Sequence, residues 1–476
     1  MQTTITVIRI LRRFFMEEQK QTTSAPANAI TEGVIWKQLL IFFFPIMLGT
    51  FFQQLYNTAD AIIVGRFVGK EALAAVGGSA NQISNLIIGF FVGVSSGATV
   101  IIAQHYGARK EEPLSHALHT AMAFCIFGSI VITVIGYAAA PVFLRWMNTP
   151  KDMMQDSVTY LRIFFLGILF VFIYNIGSSI LRSVGDSRRP LYYLIVCCFL
   201  NIGLDLLFVL VFHMGIAGAA IATVLSQAVS AILIISALMR TTDIYRLHLR
   251  RITFYKQSLE NILHIGIPAG LQSVMYSVSN IIIQTALNAL GTDTVAAWTA
   301  FGKMDAFYWM VISAFGIAAT TFVGQNYGAG KYTRVKKSVS ICIKITLAAA
   351  VIMSVFFLTA GKYLFHLFTS DPAVIQIGIR ILTYMAPAYA LFVFIEIYSG
   401  ALRGIGDVII PAIMTCCGVC IFRSLWVFIL VPLSPTIETI TLSYPVSWGI
   451  TAVLFIIYWR KKQKHFGCDT DSISVK

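Results

Sequence analysis

The chain has 476 residues, 57% hydrophobic and only 12% charged, with a mean hydropathy of +0.78. Soluble domains carry about 25% charged residues, so a soluble enzyme with a polar shell, a disordered chain and a fibre are all excluded, and lipid is the required solvent. The net charge of +14 points to nucleic acid only if the basic residues cluster for it.

Residues 1–15 alternate apolar side chains with Arg9, Arg12 and Arg13. They read either as a short interfacial amphipathic helix or as a leader ahead of a start at Met16. With the polar stretch that follows, they form an N-terminal tail over 1–35. Apolar segments then fall at 38–64, 73–103, 115–140, 155–181, 190–212, 215–239, 260–289, 294–324, 336–360, 374–401, 409–431 and 437–459. Each reaches the length of about 20 residues that spans a hydrocarbon core. Twelve spanning helices are predicted, which places both termini on one side of the membrane. The predicted organisation is an N-lobe over 36–240, a basic linker over 241–258, a C-lobe over 259–460 and a tail over 461–476.

With the N-terminus inside, 25 of the 35 Lys and Arg fall in inner segments, 5 in outer loops and 5 within apolar segments. This asymmetry predicts cytoplasmic termini in the plasma membrane. It also accounts for the net charge as a topology device facing anionic lipid, with no role for nucleic acid. Seven of the eight cysteines lie in apolar segments, where Cys behaves as a small hydrophobe. The Cys417-x-x-Cys420 pair has no second pair to complete a metal site,.

The chain repeats itself. Gln104-x-Tyr106-Gly107-Ala108-x-Lys110 recurs as Gln325-x-Tyr327-Gly328-Ala329-x-Lys331, and Leu181-Arg182-x-x-Gly185-Asp186-x-x-x-Pro190 recurs as Leu402-Arg403-x-x-Gly406-Asp407-x-x-x-Pro411, both at an offset of 221. Pro45 and Asn57 recur as Pro268 and Asn280 at 223. Two homologous six-helix halves follow. An even helix number relates them by an axis along the membrane normal, with a central cavity suited to alternating access. In each repeated loop Gly ends a helix, Asp is placed to cap the next and Pro sits in its first turn.

These features, with Asn57-x-x-Asp60 after Pro45 and Asn201-x-x-x-Asp205, closely resemble the multidrug and toxic compound extrusion (MATE) family over residues 36–460. The resemblance implies an all-α membrane transporter: a secondary antiporter that expels amphipathic, often cationic, small molecules against an inward flow of protons or sodium ions. It implies no cofactor beyond the coupling ion. A monomer is expected.

Four acids lie well inside apolar segments: Asp60, Asp205, Asp305 and Glu396. An embedded charge is costly, so each is a functional candidate. At a rise of 1.5 Å per residue, Asp60, Asp205 and Thr223 lie at matching depths, about 9–12 Å below the outer helix ends. Asn201 is one turn from Asp205 on the same face. Gln53, Asn57 and Asp60 make one polar stripe. A shared pocket of Asp60, Asn201, Asp205 and Thr223 is therefore expected, and the same four residues match the family's N-lobe cation and proton site. Two close carboxylates cannot both stay ionised cheaply, so they would share a proton or accept Na+ with Asn and Thr oxygens completing the shell.

The second half lacks this set. Its accessory candidates are Asn280, Lys303, Asp305, Glu396 (the counterpart of Asn175) and Arg423, the last expected near mid-membrane and paired with a carboxylate or with carbonyls. A lipid-linked oligosaccharide flippase is the alternative transport function; it calls for a basic central cavity and often two more helices. An enzyme acting on lipids calls for clustered His, Ser or metal ligands, whereas the eight histidines are scattered.

Overall fold

The computed structural model describes residues 28–147 and 149–466, with backbone alone at 70, 71 and 79. Among the described residues eleven helices are long and apolar enough to cross a membrane. They are α1 (Ile35–Val68), α2 (Ala72–Gly107), α3 (Glu111–Trp146), α4 (Lys151–Ser183), α5 (Arg188–Val211), α6 (Gly215–Arg240), α8 (Thr292–Gly328), α9 (Tyr332–His366), α10 (Pro372–Gly404), α11 (Ile409–Leu430) and α12 (Ile437–His465). The twelfth, α7 (Lys256–Asn288), has 33 residues and is long enough. Its composition falls short because it carries Glu260, Asn261, His264, Gln272, Asn280 and Gln284. Helix α7 is wedged between α2 and α11, and Asn280 and Gln284 line a protein cavity.

The N-terminal half is built around α4, which packs on α2, α3 and α6, with α1 against α5. The C-terminal half repeats this around α10, packed on α8, α9 and α12. Each core is aromatic. Phe91 stacks on Phe172 with centroids 3.5 Å apart, and Tyr308 stacks on Tyr389 at 3.8 Å. The aromatics near the start of α1 divide: Phe42 and Phe43 are buried, whereas Phe44 is exposed. Ile352, Val355, Phe428 and Ile457 likewise turn outward, as a lipid solvent allows.

The halves meet along α2, which packs on both α7 and α8, and along α1 against α8. Glycine permits the closest approach. A methyl group on Gly97 would overlap the Ile262 carbonyl, and one on Gly266 would lie 2.6 Å from the Val94 carbonyl oxygen. This is the small-residue crossing by which helices associate in lipid, where burial from water provides no drive.

At the end of the molecule where the described residues begin and end, the repeated motif forms a reciprocal lock. Gln104 Nε2 donates to the Gly404 carbonyl at 2.8 Å, and Gln325 Nε2 donates to the Ser183 carbonyl at 2.6 Å. Each glutamine of one half thus satisfies the last turn of a helix in the other, where carbonyls lack partners. Gly107 and Gly328 pass so close that a methyl group on either would overlap the opposite glutamine's carbonyl. A one-turn helix, Ala29–Glu32, lies across the same end. Lys331 Nζ donates to the Thr31 carbonyl at 3.1 Å, and Arg334 donates to the carbonyls of Ile30 and Gly33.

The repeated Gly-Asp loops keep their backbone and change their bonding. Gly185 and Gly406 both have left-handed φ, +99° and +89°, the conformation glycine tolerates. Asp186 caps α5 as expected, accepting from the backbone N–H groups of Arg188 and Arg189 at 3.1 Å. Asp407 instead turns to α12, accepting from Tyr458 Oη at 2.6 Å and pairing with Lys462 Nζ at 3.1 Å. The expectations for residues 1–27 lie outside the described residues.

Candidate ion-coupling site and the facing cavity

Helices α1, α5 and α6 bring three of the predicted residues to one buried place, with Thr223 at its wall. Asp60, Asn201 and Asp205 are 7%, 0% and 0% exposed. The Asp60 and Asp205 carboxyls lie within hydrogen-bonding reach of each other. Asn201 Nδ2 donates to Thr223 Oγ1 at 3.4 Å, and that hydroxyl donates to the Ala219 carbonyl at 3.1 Å. The bonding leaves a one-sided remainder. Asp60 Oδ1, Asn201 Oδ1 and both Asp205 oxygens are buried and have no donor among the described residues. Such a set of buried acceptors is costly as it stands, since a buried polar atom needs a partner.

The backbone is irregular at this place. Helix α1 passes into a π-helical turn at Val64–Val68, just after Asp60, and α5 does so at Leu206–Val211, directly after Asp205. The wide turn is rare and recurs at functional sites. Two phenols not anticipated from the sequence flank the carboxyls. Tyr56, one turn before Asp60, is buried with it on α1, and Tyr160 of α4 is near enough to both acids to feel their charge. Helical spacing from Asp60 could have singled out Tyr56; nothing in the sequence marked Tyr160.

The other candidates separate. Gln53 and Asn57 are exposed on α1. Asn175 Nδ2 donates to the Val171 carbonyl of its own helix at 2.8 Å. Lys303 is exposed while Asp305 is turned inward. Asn280, Asp305, Glu396 and Arg423 line a single cavity of about 520 Å³ in the C-terminal half. Asp305 is fully engaged: Tyr389 Oη donates to Oδ1 at 2.6 Å and Trp309 Nε1 donates to Oδ2 at 2.7 Å. Glu396 presses on α8 at Gly316, where a methyl group would overlap its Oε1. The expected ion pair for Arg423 is absent among the described residues. Its guanidinium lies 3.9 Å over the Tyr444 ring and 5.9 Å from that of Trp448. A third π-helical turn, Cys416–Ile421, immediately precedes it. Trp309, four residues after Asp305, was open to discovery by helical spacing. Tyr389, Tyr444 and Trp448 come from distant helices.

Two halves with one frame and different polar sites agree with comparison to known proteins. The family profile described as MatE matches residues 45–207 and 268–429, once in each half. The chain belongs to the MATE family. Among its relatives, probable multidrug resistance protein YpnP of Bacillus subtilis is 30% identical over 380 residues, covering 80% of this chain and 85% of that protein. Probable multidrug resistance protein YoeA, also of Bacillus subtilis, is 28% identical over 443 residues, covering 90% and 95%. Among solved structures, the outward-facing conformation of a multidrug resistance MATE family transporter superposes with a TM-score of 0.87 at 24% identity, covering 94% of this chain and 100% of that one. A transporter from Pyrococcus furiosus superposes with a TM-score of 0.86, also at 24% identity, covering 94% and 99%. Proteins of the MATE family are transporters, so this multi-pass membrane protein is a transporter and not an enzyme. The relatives' names give the flippase alternative no support.

Proposed function

We propose that the protein is a secondary antiporter of the plasma membrane that exports amphipathic or cationic compounds while protons or sodium ions enter, with both termini in the cytoplasm. The observation that carries this reading is the donor-poor pocket: four buried acceptor atoms of Asp60, Asn201 and Asp205 with no donor. A proton shared by the two carboxyls, or a sodium ion held by carboxylate, Asn and Thr oxygens, satisfies them. Binding either changes the charge of the N-terminal half by one, and that differential affinity biases two arrangements of the halves. The reciprocal glutamine lock closes the terminal end in one of them. Nothing in the pocket chemistry favours H+ over Na+, since the same oxygens serve both.

The test is efflux from vesicles under imposed proton or sodium gradients, with equilibrium substrate binding measured beside it. Asp60→Asn and Asp205→Asn preserve size and remove the titrating charge. Gradient-driven efflux is expected to be lost in each while binding persists. Unaltered efflux by both variants overturns the reading.

A further inference from the structure

The segment between α6 and α7, residues 241–255, joins the two halves covalently. It is laid on the N-terminal half as a strap. Leu247 N–H donates to the Leu238 carbonyl at 2.9 Å, Tyr106 Oη donates to Asp243 Oδ2 at 3.0 Å, and Tyr255 N–H donates to Thr120 Oγ1 at 3.1 Å. Tyr245 and Leu247 are buried in the apolar core of that half. Between Leu247 and Tyr255 the strap is fastened by one histidine of α3.

His119, two turns into α3, is 1% exposed. Its Nδ1 lies 2.7 Å from the Ser115 carbonyl oxygen, and its Nε2 lies 3.0 Å from the backbone nitrogen of His248. A carbonyl can only accept and a backbone N–H can only donate. Nδ1 therefore carries the proton and Nε2 is bare, so the strap fits the neutral ring alone. The Ser115 hydroxyl, 3.2 Å from Nδ1, can take either role and fits this assignment. A second proton on Nε2 would set one N–H against another. The neighbouring groups do not compensate it. On the linker, the His248 ring lies 6.3 Å away and nearly parallel, and Arg251 is a further base. On α3, Glu112 lies 4.0 Å from His116, and on α7 Glu260 lies 4.0 Å from Lys256. At this end α2 carries His105, the turn into α3 carries Arg109 and Lys110, and α4 carries Arg182. Among the described residues no carboxylate pairs with His119.

We propose that His119 is a pH-sensitive fastener of the linker. Neutral, it holds the backbone at His248 on α3; protonated, it releases it. Docking is therefore complete at high pH and lost as pH falls. The release is local, because the far end of the strap does not depend on a bare nitrogen: Tyr255 is held by Thr120 and stacks on His116 at 3.8 Å. With the linker in the cytoplasm, as proposed above, internal acidification loosens the connection between the halves, whichever ion drives transport.

Hydrogen exchange of the purified full-length protein tests this, after correction for the intrinsic pH dependence of amide exchange. From about pH 7.5 to about pH 5.5, either side of the ordinary imidazole range, residues 246–254 should lose about 10-fold in protection, the scale of one buried donor left unmet. The core of α10 should keep its protection. In His119→Gln the side-chain oxygen replaces Nε2 as acceptor and does not titrate, so linker protection should be the same at both pH values. Linker protection that does not change with pH in the unaltered protein overturns the proposal and needs no variant to fold. A pH response that survives in His119→Gln also overturns it and assigns the effect to His116 or His248. The measurement uses neither substrate nor gradient, so its failure is distinct from failure of ion coupling, which vesicle efflux reports.

Discussion

The two halves share a helix frame and a repeated sequence, yet the polar groups at their two sites are opposite in kind. In the N-terminal half the pocket of α1, α5 and α6 holds acceptors without donors. At the cavity of the C-terminal half Asp305 accepts one donor on each carboxylate oxygen, and the buried atoms without a partner are Nε and Nη2 of Arg423. At the repeat offset of 221, Asn201 and Asp205 become Phe422 and Trp426. The frame therefore fixes where a polar group can stand and leaves its sign open. One site leaves buried acceptors unmet and the other leaves a guanidinium unmet.

The largest effect that could break this contrast is the loss of gradient-driven efflux in Asp205→Asn described above. The next is a comparison of stability. Asp305→Leu strands the Tyr389 hydroxyl and the Trp309 N–H and is expected to cost about 1–3 kcal/mol for each orphaned donor. Asp205→Leu removes no donor's partner and should leave the thermal midpoint in detergent unchanged or raise it. A lower midpoint for Asp205→Leu than for Asp305→Leu would show that the two acids are not bonded so differently. Gly316→Ala sharpens the view of the C-terminal cavity. The added methyl collides with Glu396 Oε1, the tip of a flexible side chain beside a cavity, so the carboxyl can swing aside and a cost of at most about 1 kcal/mol is expected, again read as a lowered midpoint.

The smallest effects compare the two Gly-Asp loops. Asp186→Ala removes a helix cap and should cost about 1 kcal/mol. Asp407→Asn keeps an acceptor for Tyr458 and loses only a half-exposed ion pair with Lys462, so a change below about 1 kcal/mol is expected. Equal losses in both would mean that Asp407 caps its helix as well.

Spans, halves and the meeting of the two N-terminal acids were legible because each depends on a one-dimensional count: run length, repeat offset, or residues from a helix end. The bonding of Arg423 was not. An arginine in an apolar run requires compensation, but whether a carboxylate or an aromatic face supplies it depends on α12, which places Tyr444 and Trp448 beneath it. The role of Gln104 and Gln325 was hidden for the same reason: the repeat was plain, but the acceptors Gly404 and Ser183 lie across the seam between halves. The low apolarity of α7 was visible in Asn280 and Gln284, which line a cavity and so escape the demand that lipid makes of the other spans.

The glutamine lock has the form of an isologous dimer contact, in which the same two surface elements meet twice about one axis. Either half carries both sides of the bond: Gln104 with Ser183 in the first, Gln325 with Gly404 in the second. Two copies of one half would have everything needed to close this end, so the fused chain preserves the self-complementarity of a homodimer. Symmetry also makes the two bonds mechanically equivalent. A straight separation of the two halves therefore loads both bonds alike, and neither is the weaker side from which this end could fray.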